Sequence, residues 1–122
     1  MMIYTSNEEV LEFLKRNKAN NEQVDISTAS EWCCAMVENQ IVGVIGIIHG
    51  QHTDRIKGFF VEKDHRKCGI GTELLREALI RTKNKRVTAF CTRNSEQLFL
   101  NERFHVVREQ NKYGISFVEL KK

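Results

Sequence analysis

The sequence has 122 residues, 41% of them hydrophobic and 29% charged, with a formal net charge of +3 at pH 7. That size and composition fit one domain, expected to span residues 1–122 around a single core, and the mild charge with no basic stripe argues against a nucleic-acid partner. The longest apolar run, Ile41 to Ile48, is too short to cross a bilayer, and Met1 to Thr5 lacks a signal-peptide pattern, so a cytoplasmic location without a membrane partner is expected.

In chain order, Glu8 to Lys18 reads as a helix. Ser6 or Asn7 can cap it, Glu8 and Glu9 suit its N-terminus, Lys15, Arg16 and Lys18 suit its C-terminus, and Val10, Leu11, Phe13 and Leu14 form its apolar stripe. Ala19 to Ser30 is polar and weakly patterned, which reads as a loop with room for one helical turn. Glu31 to Glu38 and Ile41 to His49 predict a β-hairpin around Asn39-Gln40. Its second arm is apolar on both faces, as a central strand would be, and Gly43 and Gly46 suggest close backbone approach or a bend. Trp32 belongs to the core or lines a groove. Arg55 to Val61 is a third strand, in which Phe59 and Phe60 should point to opposite faces.

Thr72 to Lys83 is an amphipathic helix, with Ile70, Leu74, Leu75, Ala78 and Leu79 on one face. Val87 to Thr92 is a strand, and Ser95 to Arg103 a short helix capped by Asn94 or Ser95. Val106 to Gln110 and Tyr113 to Leu120 form a closing hairpin around Asn111-Lys112. A strand meander followed by helical crossovers predicts an α/β protein with a mixed sheet and helices on its faces. Of the cysteines, Cys33 and Cys34 should face opposite ways, and these two with Cys91 read as reduced, buried thiols. Cys68 stands apart in a cationic loop, where a reactive thiol is the less favoured reading.

That loop is the most informative segment. Arg66-Lys67-Cys68-Gly69-Ile70-Gly71 joins the strand ending Phe59-Phe60-Val61 to the helix that follows. Strand, basic glycine loop and helix together bring backbone N–H groups, a helix N-terminus and two cations into one small volume, which suits a phosphate or pyrophosphate. A dinucleotide-binding fingerprint fails, because Leu74 stands where its third small residue is needed. A P-loop fails as well, because Gly71-Thr72-Glu73 supplies no lysine.

Val61, Arg66, Gly69 and Gly71, followed by Leu74 and Leu75, reproduce the Val, Arg-x-x-Gly-x-Gly and apolar-helix pattern of the GNAT superfamily, which this chain resembles over roughly residues 31 to 120. Asn94 matches a second, downstream family position, and Phe104-His105-Val106 falls where Leu-Gly-Phe is usual. The resemblance implies a twisted, mostly antiparallel central sheet with helices on both faces. It implies an N-acetyltransferase that uses acetyl-CoA as cosubstrate, needs no metal and moves the acetyl group directly to a primary amine. Lys67 to Thr72, that is Lys67, Cys68, Gly69, Ile70, Gly71 and Thr72, would supply N–H groups to the pyrophosphate, with the charges of Arg66 and Lys67. Phe59, Phe60 and Val61 would present a strand edge to the pantetheine amides, beside a bulge that splays two strands, and Asn94 would bond the same arm. Lys83, Lys85 and Arg86 either reach a ribose phosphate or form a solvated basic helix end.

The chemistry needs a base, since an alkyl ammonium titrates near pH ~10. The family resemblance implies a carboxylate, or water held by one, near the start of the third strand, where Asp54 is the nearest candidate, with His49 and His52 as alternatives; for each of the three a solvated loop residue is the favoured reading. An N–H near Val61 would hold the oxyanion. The tyrosine that often protonates the leaving thiolate in the family is absent, and its position falls on Asn101, whose amide is no acid at neutral pH. Two readings therefore stand: an acetyltransferase, whose partners are acetyl-CoA and an amine-bearing acceptor, and a binding module that keeps the cleft as a sensor or structural element. A homodimer is compatible with either. A third reading, a generic nucleotide-phosphate protein, would require ATP to compete with acetyl-CoA.

Overall fold

A computed structural model of the chain describes residues 2–5, 7–17 and 31–122, with side chains described from residue 7 onward. The polar stretch from Ala19 to Ser30 and the cap offered by Ser6 lie outside the described residues. The order is β1 (Met2–Thr5), α1 (Asn7–Arg16), β2 (Glu31–Val37), β3 (Gln40–His49), β4 (Thr53–Val61), a 3-10 turn (Lys63–His65), α2 (Ile70–Arg81), β5 (Arg86–Thr92), α3 (Arg93–Asn101), β6 (His105–Arg108) and β7 (Ile115–Lys121). No helix among the described residues is long and apolar enough to cross a membrane.

The strands form one seven-stranded sheet in the order β1-β2-β3-β4-β5-β7-β6. Only β4 and β5 run parallel, because α2 crosses between them; every other pair is antiparallel. The mixed, mostly antiparallel sheet is thus as expected. β1 was not: its four residues pair with Trp32 to Ala35 and extend the sheet by one edge strand. So short a segment, without alternation long enough to read, carries little strand signal of its own.

The sheet separates two apolar layers. Cys33, Ala35, Ile45, Ile47, Ile56, Val87, Ala89 and Val118 meet Leu74, Leu75 and Ala78 of α2 and Phe99 of α3 on one face. Trp32, Cys34 and Val44 meet Val10, Phe13 and Leu14 of α1 on the other. Helices therefore cover both faces, and Cys33 and Cys34 do point opposite ways. Each fully buried Leu, Ile, Val or Phe contributes about 1.5–3 kcal/mol. Trp32 is core, 1% exposed, and its ring lies under the glycines of β3 and β4. A Cβ on Gly43 would come within 2.9 Å of Leu74 Cδ1, so the backbone of β3 and helix α2 touch there.

The turns follow local chemistry. Glu38 and Asn39, with φ of 51° and 64°, make the β2–β3 connection, one residue before the predicted position; two left-handed residues match the twist of a tight hairpin. Asn111 Oδ1 accepts from the N–H groups of Tyr113 (2.8 Å) and Ile115 (3.2 Å), closing the β6–β7 turn where it was expected. At the end of α2, Thr82 Oγ1 donates to the Leu79 carbonyl at 2.6 Å, and Lys122 Nζ donates to the same carbonyl at 3.1 Å and contacts the Thr82 hydroxyl. A cation thus satisfies the negative end of the helix.

Candidate functional site

The parallel pairing of β4 with β5 runs from Thr53↔Arg86 to Ile56↔Ala89 and stops. Beyond it, Lys57 to Val61 on β4 and Phe90 to Thr92 on β5 are not paired with each other. The cause lies in β4. Between Val44↔Phe60 and Gly46↔Lys57 the β3–β4 register slips, and Gly58 sits at φ +67°. The bulge turns β4 away from its parallel neighbour and opens a wedge. Gly58 is required twice over: an L-residue is strained at that φ, and a Cβ would lie 2.8 Å from Trp32 Cζ3. The edge of β4 facing the wedge offers backbone N–H and C=O groups to a ligand, as a strand edge does to a peptide.

Two helices begin at the open end of the wedge, α2 at Ile70 and α3 at Arg93, directly after β5. Ligands of open α/β sheets bind in this place, outside the carboxyl ends of parallel strands. The α2 helix starts two residues before its predicted start, with Gly69 as N-cap at φ +90° and Lys67 also left-handed at φ +64°. Its first-turn N–H groups have no intrahelical acceptor and carry the positive end of the dipole. Space above the loop is open, with no atom within 4 Å of a Cβ built on Gly69. Gly71 is different, since a Cβ there would lie 3.0 Å from Leu98 Cδ1 and 3.5 Å from Phe59 Cζ. This glycine lets α2 seat against α3 and β4.

Arg66 is positioned by the wall beneath it. Its Nε donates to the Val61 carbonyl at 2.8 Å and its guanidinium stands 5.3 Å from the Phe60 ring centroid. Among the described residues neither Arg66 nor the exposed Lys67 is paired with a carboxylate. The loop is held from below by Glu62, whose Oε1 accepts from Arg16 Nη2 (3.1 Å) and Asn17 Nδ2 (3.3 Å) of the α1 end. A diphosphate would meet free N–H groups, a helix N-terminus and two unpaired cations here. The residues fit such a group, and the β4 edge below fits an amide-bearing arm. Ile70 and Thr72 are half-buried in the first turn of α2. Phe59 faces the α2–α3 layer, 5.9 Å from Phe99, whereas Phe60 faces α1, 5.9 Å from Phe13. The two aromatics do point to opposite faces, and both have core partners. Asn94 is exposed in the first turn of α3, whose N-cap is Thr92 rather than the predicted Asn94 or Ser95.

The residues read as catalytic stand elsewhere. Asp54 is completely buried at the start of β4, at the closed end of the wedge. Its Oδ2 accepts from the N–H groups of Lys83 (2.7 Å) and Asn84 (2.8 Å), and its Oδ1 from Asn84 Nδ2 at 3.1 Å, with His49 Nδ1 at 3.4 Å. Burial by itself raises the Asp54 pKa, but the bonds from Asn84, Lys83 and His49 outweigh it and hold the carboxyl below its usual value. That is the environment of an anchor for the α2–β5 loop, and a poor one for a base. The solvated-loop reading fails too, because β4 begins at Thr53 and takes Asp54 into the sheet. His49 is half-buried between Glu31 Oε2 (3.6 Å) and Asp54, and Glu31 also stands 3.8 Å from Arg81. His52 is exposed in the turn. This Glu31–His49–Asp54–Asn84 cluster joins residues far apart in sequence, and no local pattern announces it.

Asn101 is exposed at the C-terminal end of α3, where its Oδ1 accepts from Gln97 Nε2 at 2.8 Å. Tyr113 is 75% exposed in the β6–β7 turn, outside the wedge. Lys83, Lys85 and Arg86 lie at the far end of α2, about 18 Å along the helix from the loop at 1.5 Å per residue. Arg86 is engaged with Glu119 at 2.6 Å. The ribose-phosphate reading of these cations does not fit that placement. The buried thiols of Cys33 and Cys91 are pushed up to about 11 by desolvation, so neither is a thiolate at neutral pH. Cys68 is exposed, and its Sγ donates to the His65 carbonyl at 2.8 Å.

A family model described as an acetyltransferase (GNAT) domain matches residues 3–122. No curated protein matches. Among solved structures, Rv2747 from Mycobacterium tuberculosis, in complex with CoA and NLQ, superposes with a TM-score of 0.79 at 11% identity, covering 100% of this chain and 99% of that one. A GNAT family acetyltransferase from Elizabethkingia anophelis with acetyl-CoA bound gives a TM-score of 0.69 at 15% identity, covering 100% and 97%. For a protein from Pyrococcus horikoshii the TM-score is 0.73 at 16% identity, and the match covers 92% of this chain but 48% of that one. At these identities the superpositions establish the fold.

Proposed function

The chain belongs to the GNAT acetyltransferase family, and from that premise we propose that residues 1–122 act as one N-acetyltransferase domain, moving the acetyl group of acetyl-CoA to a primary amine. The observation that carries the proposal is the wedge: a bulged, unpaired β4 edge runs directly into a cationic loop at a helix N-terminus. Both parts are built for one elongated ligand with a diphosphate at one end and amides along its arm.

In this reading, N–H groups of Lys67 to Thr72 and the charges of Arg66 and Lys67 hold the pyrophosphate. The edge from Phe59 to Val61, with Asn94 across the wedge, orients the arm. Bound acetyl-CoA supplies an activated thioester. An N–H of the bulged strand near Val61 stabilises negative charge on the carbonyl oxygen. Neither wall of the wedge, 57–61 or 90–92, carries a carboxylate or histidine, so the amine gives its proton to solvent. The rate should then climb with pH toward the amine's own value near ~10. A plateau near neutrality would instead reveal a protein base.

The lack of a carboxylate or histidine on the wedge walls also favours a second reading, a binding module with weak or no turnover. Amine-dependent release of free CoA separates the two. Steady release above the hydrolytic background supports the enzyme. Saturable acetyl-CoA binding with no amine-dependent release leaves the module.

A further inference from the structure

α1 covers the β2–β4 half of its sheet face, packing on Trp32, Cys34, Val44 and Phe60. Over β5, β7 and β6 no described helix lies on that face. The side chains presented there form a row across four strands. Arg55 on β4 stands 5.8 Å from the Phe90 ring on β5, Phe90 and Phe117 on β7 have ring centroids 4.9 Å apart, and Arg108 on β6 stands 5.1 Å from the Phe117 ring. Phe90 is 53% exposed, one of the few large apolar side chains left in water. It follows Ala89, the last β5 residue paired with β4, and so stands where the wedge begins to open.

The charge of the row is one-sided. Arg55 and Arg108 have no carboxylate partner among the described residues, and the guanidinium of each lies over an aromatic ring. A guanidinium held over a ring still has N–H groups to offer a carboxylate. The buried carboxylate on the same face, Glu119, is surrounded by Arg86 (2.6 Å), Lys121 (3.5 Å) and His105 (3.7 Å), and its hydrogen bond with Arg86 holds its pKa down. It adds no net negative field. The two free guanidiniums are separated by three strand intervals, about 14 Å at ~4.8 Å per strand. One small carboxylate cannot bridge that distance, whereas an extended chain can.

We propose that this face docks an acidic polypeptide, whose carboxylates pair with Arg55 and Arg108, whose apolar residue covers Phe90 and Phe117, and whose amine enters the wedge as the acetyl acceptor. The last element rests on the acetyltransferase reading; the docking does not. A cationic row beside the vertex of the wedge repels polyamines and attracts an acceptor with negative charge beside its amine.

The probe is a dye-labelled peptide of alternating Glu and Leu with a free N-terminal amine, compared with its Lys and Leu counterpart, by fluorescence anisotropy without acetyl-CoA. The Glu peptide should bind at least ~10-fold tighter, and its affinity should fall as salt rises. Arg55→Glu with Arg108→Glu should remove the preference, and Phe90→Ala should weaken the Glu peptide alone by several-fold. Equal binding of the two peptides overturns the proposal, as does an undiminished preference in the doubly reversed protein. Self-association lost on the same reversal would assign the face to a second copy and also overturn it. All variants are surface changes, and acetyl-CoA titration of each reports on the wedge separately. A wild type that binds the Glu peptide but not acetyl-CoA keeps the docking surface and removes the enzyme reading.

Discussion

At the residue scale, Asp54 and Gly58 show how far side-chain chemistry depends on context that neighbouring residues do not supply. Asp54 satisfies two backbone N–H groups of the α2–β5 loop from inside the sheet. Asp54→Ala would leave both part-buried donors without their acceptor and should cost about 1–3 kcal/mol, read as a lower midpoint in urea unfolding. Because its folded pKa lies below the ordinary aspartate value, its stabilisation is full above that ordinary value and is lost as pH falls through the folded pKa. Asp54→Asn should flatten the acid limb of the stability profile while leaving acetyl-CoA affinity unchanged. If turnover fell about 100-fold with stability intact, Asp54 would regain the role of base. Gly58→Ala places a Cβ against Trp32 in a left-handed backbone and should destabilise by about 3 kcal/mol or more. A variant as stable as the parent would mean that the bulge does not depend on this contact.

At the scale of elements, α3 ends in a left-handed residue: Arg103 has φ +74°, its N–H reaches Leu100 O at 3.1 Å, and the Phe104 N–H reaches Phe99 O at 3.2 Å. The paired bonds and the Phe99–Phe104 ring contact at 5.1 Å make this a Schellman ending, which glycine usually occupies. Arg103→Gly should therefore raise stability by about 1 kcal/mol, visible as a higher Tm. A drop would mean that the arginine side chain has a contact of its own. The helices and most strands were legible in the sequence because period and caps are local: α2 shows its apolar face in Leu74, Leu75 and Ala78, and β3 its doubly buried run. The cationic loop was legible for the same reason, since strand, glycines and helix are contiguous. β1 escaped because it is four residues long and owes its conformation to pairing with β2. The true setting of Asp54 escaped because its partners are Lys83 and Asn84, about thirty positions away, and only the parallel β4–β5 pairing brings them together.

At the scale of the molecule, one bulge organises the site. Antiparallel pairing continues through β1 to β4 and through β5, β7 and β6, and the single parallel junction between these halves opens where Gly58 bends β4. The helix N-termini of α2 and α3, the Arg66 loop and the free β4 edge all converge on that opening. Arg66→Ala removes a cation held in place by the Val61 carbonyl and should weaken acetyl-CoA about tenfold, with little change in stability because the residue is exposed. The most direct measurement is calorimetric titration of the protein with acetyl-CoA, with ATP as control. Saturable binding of acetyl-CoA without comparable binding of ATP is the predicted result. No heat at millimolar acetyl-CoA, or equal competition by ATP, would contradict the assignment of the wedge.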